Sequence, residues 1–100
     1  MLVDFSIFPV GKKDSLSGAV AQAFEVIEQS GLPHEFHSMG TNIEGEWDAV
    51  MAVIKACRDR LLERADRVSI SIRIDDREAA EEPMAHKVAS ARAKMTPTLG

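Results

Sequence analysis

The segment from Arg67 to Asp76, RVSISIRIDD, places valine or isoleucine at every second position. Val68, Ile70, Ile72 and Ile74 fall on one side; Ser69, Ser71, Arg73 and Asp75 fall on the other. A helical period would scatter both sets around an axis, whereas a period of two sorts them onto opposite faces of a strand. A strand with one dry face needs neighbouring strands and a covering layer. Residues 2–9 repeat the pattern, with Val3, Phe5 and Ile7 opposed to Leu2, Asp4, Ser6 and Phe8. Pro9 and Gly11 are expected to close that strand, since proline removes a ladder donor and glycine tolerates a turn.

Between these strands the period changes. Leu16, Val20, Ala23, Phe24 and Ile27 form a helical stripe, which Asp14 or Ser15 can cap and Gly31 and Pro33 can end. Trp47, Val50, Met51, Ile54, Cys57 and Leu61 form a second stripe. Glu44, Glu46 and Asp48 lie at its start and Arg58, Arg60 and Arg64 near its end, both favourable to the helix dipole. The intervening HEFHSMGTNIEGEW has to turn the chain, and two short strands near 34–39 and 41–45, joined at Gly40, do so. A last helix is expected over 83–95, with Pro83 in its first turn and Met84, Val88, Ala91 and Met95 on one side.

The order is βαββαβ plus a C-terminal helix, which predicts an α+β, ferredoxin-like sandwich with a four-stranded antiparallel sheet. The first and third strands are expected at the centre and parallel, flanked by the fourth and second. One domain should span residues 1–96, followed by a short tail at 97–100.

Two helices cover one sheet face. The other carries Asp4, Ser6, Phe8, Glu35, His37, Met39, Asn42, Glu44, Ser69, Ser71 and Arg73 by strand parity. That face is either solvated, as in many antiparallel sheets, or covered by a ligand or a second subunit. Leu2, Phe8 and Met39 favour a cover, because leaving apolar area in water costs about 25 cal/mol per Å². The size of the chain points the same way: 100 residues bury only about two-thirds of their unfolded surface.

Several chemistries are disfavoured. A formal net charge of −4 and scattered basic residues, with Lys12-Lys13 the only early pair, argue against nucleic acid. His34 and His37 point to opposite strand faces and His86 lies far along the chain, so no metal site is expected. Cys57 sits on an apolar stripe and reads as a small core residue; no intrachain disulfide is possible. Asp75-Asp76-Arg77 reads as a strand-ending turn, and Gly11 and Gly18 form no phosphate loop. The apolar start lacks a basic flank and a cleavage site, and no stretch approaches a membrane span, so a cytoplasmic protein is expected. Glu44 is open to two readings: a carboxylate serving the helix dipole, or an acceptor for an amino-heterocycle or cation.

The segments FPVG (8–11), SLSGAV (15–20), SGL (30–32), MGTNIEGEWDAVM (39–51), RV (67–68) and IDDR (74–77) resemble the thiamine-binding protein family. The resemblance implies a ferredoxin-like fold, dimers formed sheet to sheet that pair into tetramers, and binding of thiamine or its hydroxymethylpyrimidine part. It implies no catalytic residue and no further cofactor. Thr41 and Glu44 match the family's Gly-Thr-x-x-Glu-Gly pattern, Ser6 and Phe8 lie in its first strand, and Asn42 replaces an expected apolar residue. With His37 and Met39 from the open face, these make the expected ligand site: Ser6, Phe8, His37, Met39, Thr41, Asn42 and Glu44. The alternatives are a small dimeric enzyme, for which His37 is the only acid–base candidate on that face, and a structural or regulatory interaction module.

Overall fold

A computed structural model of the chain describes residues 1–11, 16–78 and 83–94, without the side chains of 16, 17 and 83–87. The expected cap at Asp14 or Ser15, the Lys12-Lys13 pair, Met95 and the tail at 97–100 lie outside the described residues. The elements are β1 (Leu2–Val10), α1 (Leu16–Ser30), β2 (His34–His37), β3 (Gly40–Glu44), α2 (Trp47–Leu62), β4 (Arg67–Asp75) and α3 (Pro83–Lys94).

The sheet order is β2-β3-β1-β4, and every neighbouring pair is antiparallel. The expectation of a parallel central pair is therefore corrected. Helix α1 crosses the sheet and returns the chain along β2 in the direction of β1; the tight turn at 38–39 then reverses it. The strand inserted beside β1 must oppose it. Gly40 makes this turn possible: a Cβ there would lie 2.6 Å from the Phe5 carbonyl oxygen, at a φ of 155°. Pro9 does not end β1, which continues to Val10. Beyond Phe5, β1 pairs with β4 alone, and proline is tolerated where one strand edge is unpaired.

Val3 and Phe5 of β1 and Ile43 of β3 meet Ala23 and Ile27 of α1 and Val50, Ile54, Cys57 and Leu61 of α2 in one buried cluster. Each large apolar side chain removed from water contributes about 1.5–3 kcal/mol. The Cys57 Sγ approaches the Ala23 carbonyl oxygen at 3.7 Å, where the two helices are in contact. Phe24 stacks on Phe36 with ring centroids 3.8 Å apart, which fixes α1 to β2.

Two apolar expectations are corrected. Trp47, placed in the α2 stripe by spacing, opens the helix and is 52% exposed, while Val53 is buried in addition to the expected residues. On β4, Ile72 and Ile74 share the helix-facing side with Phe5 and Val3, their register partners, yet they remain 37% and 40% exposed. The two helices do not reach the outer strand at that end.

Candidate functional site

The register between β1 and β3 runs from Leu2↔Glu44 to Phe5↔Thr41 and stops there. The next residues of β1, Ser6 to Phe8, keep β4 on one side but form no ladder pair with β3 on the other. The β2–β3 turn and α1 close around this gap, leaving a cavity of about 400 Å³. Its helix-facing wall consists of Phe5, Ile7, Thr41 and the α1 residues Val20, Ala23, Phe24 and Ile27. Ser6, Phe8, His37, Ser38, Met39 and Gly40 form the remaining wall and rim.

Five of the seven expected residues are therefore brought together: Ser6, Phe8, His37, Met39 and Thr41. They do not share a face. Thr41, opposite Phe5, lies on the helix-facing side and is 3% exposed. The cavity sits at the edge of β1 beneath α1, and not on the open face of the sheet. Asn42 and Glu44 do not line it; they continue along the open face opposite Asp4 and Leu2. Glu44 lies four residue steps along the strand from Gly40, or roughly 13 Å. Glu44 is itself buried, and its backbone N–H donates to the Pro33 carbonyl at 2.9 Å. Beside it the Met1 ammonium donates to the Gly45 carbonyl at 2.8 Å.

His37 is held at both ring nitrogens. The Met39 backbone N–H donates to Nδ1 at 3.3 Å, which places the proton of a neutral ring on Nε2. Nε2 lies 3.4 Å from Asp4 Oδ1. Both ring nitrogens of this cavity-rim residue thus have a neighbour within the chain. His34 faces the helix side, opposite Ile43, with Nδ1 2.7 Å from the Leu32 carbonyl. No group of three or more metal-ligating side chains is assembled among the described residues.

Burial pushes the Cys57 thiol up to about 11, partly opposed by the Arg60 guanidinium. Few thiolates exist there at neutral pH, so Cys57 is a poor nucleophile. Arg60 is turned outward to Gln22 Oε1 at 2.7 Å and Glu25 at 3.9 Å.

Reasoning from the sequence missed the apolar wall of the cavity. Val20, Ala23, Phe24 and Ile27 were legible as a stripe, but a stripe does not distinguish core from pocket lining. The signal that separates them is the shortness of β3 against the nine residues of β1.

Comparison with known proteins decides the family. Residues 3–92 match the family described as thiamine-binding protein. The chain belongs to that family. It is 37% identical over 91 residues to the UPF0045 protein sll0230 of Synechocystis, covering 90% of this chain and 75% of that protein. Among solved structures, the hypothetical protein MJ1052 of Methanocaldococcus jannaschii superposes with a TM-score of 0.83 at 33% identity, covering 91% of this chain and 94% of that one. A domain of unknown function from Bacillus cereus gives 0.82 at 29% identity, covering 95% and 92%. The ferredoxin-like fold of the thiamine-binding protein family thus extends over almost the whole chain. No helix among its described residues is long and apolar enough to cross a membrane.

Proposed function

We propose that this chain binds thiamine or its hydroxymethylpyrimidine part without catalysing a reaction, and that the cavity between β1, α1 and the β2–β3 turn receives it. The observation that carries this reading is the cavity itself. Its volume of about 400 Å³ falls in the range of about 300–1,000 Å³ usual for small-molecule sites. Its lining has the composition of such sites, aromatic and aliphatic walls with a few polar groups at fixed places. The Phe5, Phe8 and Phe24 rings suit a flat heterocycle, and the Ser6, Ser38 and Thr41 hydroxyls can donate to or accept from an aminopyrimidine. A thiazolium cation at the rim gains from the Phe8 ring and from the negative net charge.

A non-enzymatic role is supported by the state of His37. A general base needs a lone pair aimed at substrate, and the Nδ1 lone pair already accepts from Met39. Assembly through sheet faces is part of the same proposal. Phe8 is 45% and Met39 84% exposed at the cavity rim, and a second subunit there would cover them and close the ligand in.

Calorimetric titration with thiamine, hydroxymethylpyrimidine and choline tests the reading. Saturable heat is expected for at least one of the first two and none for choline. Val20→Phe, which fills the cavity from a half-buried position on α1, should weaken binding at least about tenfold while the protein still melts cooperatively. Wild-type affinity in Val20→Phe would move the site elsewhere; equal binding of choline would refute the ligand class.

A further inference from the structure

The β2–β3 turn consists of Ser38 and Met39, enclosed by the ladder pair His37↔Gly40. All four residues belong to the wall and rim of the cavity. The far end of the turn is pinned, because Gly40 sits against the Phe5 carbonyl where a Cβ would not fit. Its middle gains little from packing: the Ser38 and Met39 side chains are exposed. Instead, the Met39 backbone N–H donates to Nδ1 of His37 at 3.3 Å. The other nitrogen of the same ring lies 3.4 Å from Asp4 Oδ1, on β1. One imidazole thus ties the rim of the cavity to a central strand.

We infer that His37 is a positioning residue whose neutral ring holds this rim in place, and that a proton on Nδ1 releases it. The two ring contacts respond to that proton in opposite ways. Nδ1 accepts only while it keeps a lone pair; once protonated it is itself a donor, and it opposes the Met39 N–H. Nε2 carries its hydrogen in both forms, and the positive ring is drawn more strongly to the Asp4 carboxylate. The ring therefore stays with β1 while the turn leaves it. Imidazole changes charge between about pH 5 and 8, so a small acidification suffices. Among the described residues, the charged groups on the same sheet face nearest to His37 are Asp4 on β1 and Glu35 on β2. Arg73 of β4 lies opposite Asp4, and Glu44 stands at the far end of β3. The α1 part of the cavity wall, Val20, Ala23, Phe24 and Ile27, carries no charge.

This regulation of the site rests on the proposed function only for its effect on thiamine, so its test begins without ligand. Backbone amide relaxation of Ser38, Met39 and Gly40 should report an ordered turn at about pH 8 and added motion at about pH 5.5. His37→Asn separates the hydrogen bond from the charge, because an asparagine side chain accepts from the N–H two residues on and does not titrate. Its turn should stay ordered at both pH values, whereas His37→Leu, with no acceptor, should show the added motion at both. Titration with thiamine and hydroxymethylpyrimidine then reads the consequence for binding. Wild-type affinity should fall about two- to tenfold from the higher to the lower pH, beyond any change in His37→Asn, which carries the titration of the ligand itself. His37→Asn should also bind more tightly than His37→Leu. A wild type that binds neither compound at the higher pH would refute the ligand reading, and amide relaxation alone would then decide the inference. A wild-type turn equally ordered at both pH values, or a His37→Asn turn that loosens with acid as the wild type does, would overturn it. So would binding that weakens with acid equally in wild type and His37→Asn.

Discussion

The two halves of β1 have the same alternating sequence and opposite surroundings. From Leu2 to Phe5 the strand has β3 on one side and β4 on the other, and its inward residues Val3 and Phe5 are buried. From Ser6 to Phe8 only β4 accompanies it, Ile7 is half-buried, and the space that a longer β3 would fill is the cavity. The same strand thus builds the core with one half and the wall of a cavity with the other. The change occurs where Gly40 lets the β2–β3 turn sit hard against Phe5. A site made by ending a strand early sits against a rigid core, so its walls are positioned by packing and not by a mobile loop.

The contrast is sharpest for two isoleucines. Ile43 lies opposite Val3 in the filled half and has no exposed surface; Ile7 lines the cavity in the other half. Ile43→Ala should destabilise the fold by about 2–5 kcal/mol, through lost burial and the void left behind. Ile7→Ala should cost less than half as much, because it enlarges a space that already exists, yet it should alter ligand affinity, which Ile43→Ala should not. Chemical denaturation and titration of the two variants measure this directly. Equal destabilisation would mean that the second half of β1 is as tightly packed as the first.

Much of this was written in the sequence, and the reason is local. Alternation in 2–9 and 67–76 and the stripes of α1 and α2 are properties of neighbouring residues, and the structure follows them to within a residue or two. What escaped was set by contacts between distant segments. The antiparallel centre of the sheet depends on which way the hairpin turns beside β1. The outward position of Trp47 depends on where α2 begins relative to the sheet. The seven expected site residues came from motif and strand parity, which carry no information about where β3 ends. They accordingly include Asn42 and Glu44, beyond the cavity, and omit Val20, Ala23 and Phe24, on its wall.

Cys57 probes the filled side with a smaller effect. Cys57→Ala removes a buried sulfur between α1 and α2 and should cost about 1–2 kcal/mol at neutral pH. The pH dependence gives a sharper signature. The folded thiol stays protonated up to about 11, whereas an unfolded thiol ionises near 9.0. Between those values the unfolded state holds fewer protons, so stability falls as pH rises through that window. Cys57→Ala should lose that alkaline slope, and a thiol reagent should modify the native wild type slowly at pH 8. Rapid modification under native conditions would show that this side opens as readily as the cavity side.

The smallest expected effect decides between motif and geometry. Thr41 and Glu44 both belong to the Gly-Thr-x-x-Glu-Gly pattern, but only Thr41 lines the cavity, and the two point to opposite faces of β3. Thr41→Val keeps the side-chain shape and removes the hydroxyl. A neutral hydrogen bond of about 0.5–1.5 kcal/mol then predicts affinity weakened roughly two- to tenfold. Glu44→Ala should change affinity by less than about twofold. Its effect should appear in the melting temperature, since it deletes a buried carboxylate beside the chain terminus and the start of α2. If Glu44→Ala instead weakens thiamine binding as much as Thr41→Val, the ligand extends past the edge of β1 onto the open face. The division of β1 into a core half and a site half would then be too sharp, because the open side of the filled half would also carry ligand.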